Sequence, residues 1–132
     1  MEIRRLEREA YAGRPFTARY QTGGYYDIRP SEDGFRLCYV PLAAPEERSF
    51  DDVFLSEWLE EPVAFGAFEN GTLLGFAEGS LETWNNRFCI SNLCVFEESA
   101  RRRGVGTALM DTVTKAAAVS GAWMLVLETQ SC

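Results

Sequence analysis

At 132 residues, with 46% hydrophobic and 25% charged residues, the chain is long enough to bury one core without disulfides or metals, and its composition excludes a disordered or fibrous protein. A formal charge of −7 sets up a field that repels polyanions, which argues against nucleic acid as a main partner and favours a cationic ligand. There is no histidine, so a general base must be a carboxylate or the ligand itself, and no apolar run approaches the ~18 residues of a membrane span.

From the N-terminus, "MEIRRLERE" reads as a short edge strand running into a helix. "TGGYYDIRP" reads as a turn and a tyrosine-rich strand that Pro30 stops, and "DGFRLCYVPL" as a second strand after a turn at Gly34, with Phe35, Leu37 and Tyr39 alternating with Arg36 and Cys38. "SFDDVFLSEWLEE" carries Ser49 as an N-cap, acids in a first turn, and Val53, Phe54, Glu57 and Trp58 at helical spacing before Pro62, which predicts a short helix. Two apolar runs in residues 62–82 meet at Glu69-Asn70-Gly71, the strongest short hairpin signal, and predict an antiparallel pair whose second strand is 72–82.

"RFCISNLCVF" (87–96) has the apolar character on both faces of a central strand, broken only by Ser91 and Asn92. Residues 104–120 place Val105, Leu109, Val113 and Ala116, with Ala108, Thr112 and Ala117, on one stripe of a helix ended by Gly121. "AWMLVLE" (122–128) then reads as a buried strand parallel to 87–96. With no signal peptide the chain is expected to be cytoplasmic and its thiols reduced. The odd spacing of Cys89 and Cys94 puts them on opposite faces of their strand, and all four cysteines, Cys38 and Cys132 included, are expected to be buried and inert.

"ARRRGVGTAL" (100–109) joins that strand to the helix. A glycine-rich turn opening a helix offers unpaired N–H groups and the positive end of the macrodipole to an anion, and Arg102 and Arg103 can add charge-assisted bonds from the rim. The Gly-Lys-Ser/Thr of a nucleotide P-loop is missing, and Leu109 stands where a dinucleotide fingerprint needs its third glycine.

"LCVFEESARRRGVGTALM" resembles the acetyl-CoA motif of the GCN5-related N-acetyltransferase (GNAT) superfamily: a strand ending Leu-x-Val, a loop, Arg/Gln-x-x-Gly-x-Gly/Ala from Arg101 to Gly106, then a helix. The resemblance spans about residues 62–130, and "WNN" (84–86) and "LETQ" (127–130) resemble the streptothricin-acetyltransferase-like branch. It implies an α/β (α+β) fold in a single domain, 1–132, with a mixed, mostly antiparallel sheet whose parallel pair, 87–96 and 122–128, splays around the coenzyme. It implies that the coenzyme A pyrophosphate rests on N–H groups from Arg102, Arg103, Gly104, Val105, Gly106 and Thr107, and that the pantetheine arm pairs with the strand near Leu93, Cys94 and Val95. One strand N–H would hold the acetyl carbonyl.

Two departures from the family pattern stand out. The loop Phe96 to Ala100 is one residue longer than in relatives. The sequence stops at Cys132, where relatives continue through a helix carrying a tyrosine and two closing strands, so the domain is expected to be incomplete and to form a homo-oligomer through the open edge of 122–128. The tyrosine often proposed to protonate the departing thiolate is not in this sequence.

The implied function is acetyl-CoA-dependent transfer to a primary amine of a small cationic acceptor, without a metal, without nucleic acid and away from membranes. The alternative is a non-catalytic acyl-CoA-binding or oligomerisation module. Acetyl transfer needs a neutral amine, and with no histidine the candidate bases are Glu78 and Glu82, which share a face of strand 72–82 by their even separation. Asn92 is an amide and cannot serve. Trp84, Asn85 and Asn86 are candidates for the acceptor pocket, Trp84 through a cation–π face.

Overall fold

The computed structural model describes residues 1–129. In chain order it contains β1 (Glu2–Arg5), α1 (Arg8–Tyr11), β2 (Pro15–Ser31), β3 (Gly34–Val53), β4 (Val63–Glu69), β5 (Thr72–Glu82), β6 (Arg87–Val95), a 3-10 turn (Glu98–Ala100), α2 (Val105–Val119) and β7 (Met124–Leu127). Its contacts divide into two units, one of Met1–Ala18 with Asp51–Glu128, the other built mainly of Arg19–Phe50.

The first unit holds a five-stranded sheet in the order β1-β4-β5-β6-β7, antiparallel except for the β6–β7 pair, as the sequence led us to expect. The β4–β5 turn is Asn70-Gly71, with φ of +50° and +78°, the doubly left-handed geometry that makes Asn-Gly a hairpin signal. Helix α2 lays Val105, Leu109, Val113 and Ala117, at four-residue steps, onto Ala77, Phe88 and Ile90 of the sheet. Gly121, at φ +84°, follows the helix and ends it. The opposite sheet face packs Phe76 and Cys94 with Phe16, Phe54 and Phe68 in an aromatic cluster. Among the described residues no helix is long and apolar enough to cross a membrane.

Three local expectations fail for physical reasons. Pro30 does not stop a strand: β2 runs through it to Ser31, because a two-stranded ribbon leaves an edge on which proline's missing N–H costs no ladder bond. Gly24 lies inside β2 rather than in a turn, and a Cβ there would meet the Tyr39 ring and the Val40 carbonyl at 2.5 Å. No helix forms over 49–61. Ser49 to Val53 complete β3, and turns follow with Leu55 and Glu61 at φ +50° and +42°. The helical spacing there was coincidental: Phe54 is in the core, whereas Trp58 is exposed.

A fourth correction concerns β6. Its pairing with β5 shifts between Glu78↔Asn92 and Gly79↔Ile90, so Ser91 is an extra residue, a β-bulge. The bulge restarts the alternation of the strand, and Cys89 and Cys94, opposite Ser80 and Phe76, fall on the same face instead of opposite ones. Cys94 is buried, and burial pushes its thiol up to about 11. Cys38 and Cys89 are half-buried rather than buried, and Cys132 lies outside the described residues.

Candidate active site

The loop after β6 folds through the 3-10 turn Glu98–Ala100 and reaches α2 through Arg102 at φ +59° and Gly104 at φ +85°. Gly104 is the N-cap, no side chain caps the helix, and the first helical bond runs from the Ala108 N–H to the Gly104 carbonyl. The amides of Val105, Gly106 and Thr107 therefore have no partner within the helix. A Cβ on Gly104 would meet nothing within 4 Å, and one on Gly106 only the Val95 Cγ2 at 4.0 Å. Glycine in a first helical turn costs stability. Nothing in the chain itself demands it at 106, and its effect is to leave room for a ligand to approach the backbone.

The three arginines divide their work. Arg101 Nε donates to the Val95 carbonyl at 3.2 Å, latching the loop to the end of β6. Arg103 Nη2 meets both Glu69 oxygens, at 2.9 and 3.2 Å, tying the loop to the β4–β5 turn. Arg102 is exposed and has no such bond among the described residues.

Beside this loop, and among the described residues, β7 pairs with β6 only from Arg87↔Met124 to Ile90↔Leu127, while β6 continues to Val95. The Phe96 N–H donates to the Leu74 carbonyl on the β5 side, so by alternation Cys94 also turns its backbone to β5. Leu93 and Val95 turn theirs to the other edge, past the last β7 pair. Of the three strand residues singled out in the sequence, Leu93 and Val95 face the opening with their backbone, and Cys94 supports it from the core.

Glu78 is 0% exposed. Its carboxylate accepts from the Leu55 N–H at 2.6 Å, Ser91 Oγ at 3.1 Å and Asn92 Nδ2 at 3.2 Å. It thereby fastens the left-handed Leu55 turn and the bulge to one point. Burial raises its pKa above the ordinary glutamate range against these bonds, with the nearby Asp52 charge adding to the rise.

Glu82 lies one wall over. It pairs with Arg87 Nη2 at 3.2 Å and accepts from Trp84 Nε1 at 3.3 Å, and the Arg87 guanidinium sits 5.8 Å from the Trp84 ring centre. Glu82 and Trp84 line a cleft of about 440 Å³ together with Ser91, Asn92, Asp52, Trp58, Glu60 and Glu128. Four carboxylates and two tryptophans thus meet in one space, and Arg87 neutralises one of them. The potential in such a cleft is negative.

Asn85 and Asn86 serve the turn between β5 and β6. Asn85 Oδ1 accepts from the Arg87 N–H at 3.1 Å, and Asn86, at φ +55°, donates from Nδ2 to the Gly121 carbonyl at 3.1 Å. Among the described residues no group of histidine, cysteine or carboxylate side chains could hold a metal ion.

The acetyltransferase (GNAT) family model matches residues 11–132. The chain belongs to the GNAT acetyltransferase family. Comparison with curated proteins finds no match. Among solved structures, a nourseothricin acetyltransferase is similar at a TM-score of 0.73 and 28% identity, covering 98% of this chain and 74% of that one. A candidate streptothricin acetyltransferase from Bacillus anthracis str. Ames, solved with acetyl coenzyme A, matches at 0.61 and 20% identity over 98% of this chain and 75% of that one, and supports the fold alone.

The GNAT signature thus has its strand, its uncapped glycine turn and its helix in the order the sequence laid out. What sequence reasoning missed is the acidic wall: Asp52, Glu60 and Trp58 lie in the segment read as a helix, and Glu128 just past β7. The available signal was the charge of −7, which says that acids outnumber bases without saying where they gather.

Proposed function

We propose that this GNAT protein transfers the acetyl group of acetyl-CoA to a primary amine of a small polycationic acceptor. The observation that carries the reading is the placement of an acidic, tryptophan-flanked cleft on the same strand, β6, whose edge beyond the last β7 pair has no partner strand among the described residues. The cofactor fits the residues present: uncapped amides at Val105, Gly106 and Thr107 would hold its phosphates, and the Leu93 and Val95 edge its amide-bearing arm. Acetyl-CoA supplies a thioester. The chain's own part is to bind the acceptor, remove a proton from its ammonium group and hold the carbonyl through a β6 N–H.

Two carboxylates can take that proton in this reading. Glu82 lines the cleft and can do so directly, with Trp84 offering a cation–π face to the acceptor. Glu78 can do so through the Ser91 hydroxyl, which lines the cleft and lies 3.1 Å from its carboxylate. The similarity to a nourseothricin acetyltransferase supports nourseothricin, or an amine like it, as acceptor.

A thiol-release assay with acetyl-CoA tests the reading. Nourseothricin and linear polyamines should be turned over with a kcat/KM at least tenfold above that of a monoamine, about 1.4 kcal/mol in transition-state binding. Exchanging both Gly104 and Gly106 for valine should weaken acetyl-CoA binding at least tenfold by calorimetry. Acetyl-CoA binding without thiol release from any amine would refute the transferase reading, and unchanged binding in the double variant would refute the loop.

A further inference from the structure

The second unit is a ribbon of two strands joined at Glu32-Asp33. A lone two-stranded ribbon is marginally stable in water, and large apolar groups on it need cover. Side chains alternate along each strand, so Tyr26, Ile28 and Pro30 share one face of β2, and Phe35, Leu37 and Tyr39 share one face of β3. The rings of Tyr26 and Tyr39 lie 5.3 Å apart, edge to face, which puts the two sets on the same side of the ribbon. A Cβ on Gly24 would touch the Tyr39 ring, which pins that ring against the backbone.

The result is an apolar stripe that water covers. Tyr26, Ile28, Phe35, Leu37 and Tyr39 are 54%, 66%, 70%, 63% and 54% exposed. Within the stripe there is no charged residue; Asp27, Arg29 and Arg36 alternate onto the other face, where Arg29 pairs with Asp27 at 3.3 Å. Binary patterning of this kind is a buried-face pattern, yet the face is bare.

We propose that this stripe is the contact between two copies of the chain, packed ribbon face on ribbon face about a two-fold axis. Five large side chains, each more than half exposed, offer roughly 600 Å² per copy, close to the ~800 Å² per partner of a standard interface, and flanking residues add to it. The stripe is also self-complementary, as a two-fold contact requires. Its middle is aliphatic, Ile28 with Leu37, and its ends are Phe35 with Pro30 and the tyrosine pair. A two-fold axis through the middle sets aliphatic on aliphatic and lays each Phe35 against the tyrosines of the other copy. The tyrosine hydroxyls stay at the rim and no charge is buried. An anionic lipid surface fits less well, because the ribbon ends in Glu32 and Asp33 and the molecule carries a charge of −7.

Sedimentation equilibrium at micromolar concentrations tests this on the full chain. Wild type should sediment as a dimer, and Ile28→Asp with Leu37→Asp should raise its dissociation constant by about a hundredfold or more while circular dichroism and acetyl-CoA binding are retained. Arg36→Ser, on the charged face, should leave the dimer intact. Hydrogen exchange should show protection of residues 26–39 that grows with protein concentration. A wild type that stays monomeric, with or without binding to phosphatidylserine vesicles, overturns the proposal. So does a dimer that the double variant leaves unchanged, which would place the contact elsewhere, such as the β7 edge.

Discussion

Strands β5 and β3 draw on the same kinds of residue, glycine, phenylalanine and leucine in extended backbone, and meet opposite fates. In β5 seven consecutive residues are buried, and in β3 none of the twenty is. Intrinsic preference does not explain the difference, since both segments form strands. Cover does: β5 has a hydrogen-bonded strand on each side, α2 on one face and an aromatic cluster on the other, whereas β3 has one partner strand. Apolar pattern announces what a strand could bury, and the neighbours decide whether it does.

The largest break in this comparison is at Phe76. It is 0% exposed, with ring centres of Phe54, Phe16 and Phe96 at 4.6, 4.8 and 5.8 Å. Phe76→Ala should cost about 3–5 kcal/mol in urea unfolding, through lost burial and the cavity left behind.

A matched pair of glycine substitutions sharpens it. At Gly79 a Cβ would lie 2.5 Å from the Phe88 ring and 2.7 Å from the Cys89 carbonyl, so Gly79→Ala should cost about 1–3 kcal/mol. At Gly23 the nearest atom, the Tyr39 hydroxyl, would be 3.7 Å away in ordinary contact. Gly23→Ala should therefore be neutral or stabilise by up to about 1 kcal/mol, by narrowing the unfolded ensemble. Thermal unfolding of the two variants side by side checks the contrast.

Comparable in size to Gly79→Ala is Glu78→Gln. An amide sets a fixed NH2 with two donors among the three donors that face this side chain, where a protonated carboxyl has a single O–H that either oxygen can carry, a loss of roughly 1–3 kcal/mol. Because the folded pKa of Glu78 is raised, the wild-type group contributes most while protonated, below the ordinary glutamate range, and loses that contribution as pH rises through its folded value. The wild-type advantage over Glu78→Gln should accordingly be widest in acid and shrink toward neutral pH, which denaturation curves across that range measure.

Much of the fold from Val63 onward was legible because local signals and tertiary demand agree there, although β7, expected to be buried, leaves Met124 and Leu127 40% and 48% exposed. Asn70-Gly71 needs left-handed backbone and has it, Gly121 ends a helix whose buried residues repeat every fourth position, and the Gly104 turn opens it. The earlier part was less so. Pro30 stops a strand only where a ladder bond is needed, and the 49–61 segment has helical spacing without a helical face. Ser91 is a sharper case, because a bulge changes the phase of a strand and leaves no mark in composition, so the faces of Cys89 and Cys94 could not be assigned by counting. Near the site, the glycine turn could be read from its place between a strand and a helix, which its spacing alone would not have settled. The acidic wall could not, because Asp52, Glu60, Glu82 and Glu128 are brought together by folding alone.

The three tryptophans, Trp58, Trp84 and Trp123, are 77%, 79% and 66% exposed, and none belongs to either core cluster. Indole fluorescence in this protein therefore reports on its surface. Its emission should already sit near that of indole in water when the chain is folded, so denaturation will barely move the band, and tyrosine or phenylalanine signals are needed to follow unfolding. The same arrangement makes a built-in optical probe: Trp58 and Trp84 flank the acidic cleft, and whatever enters it will change their emission while Trp123 stays as an internal reference.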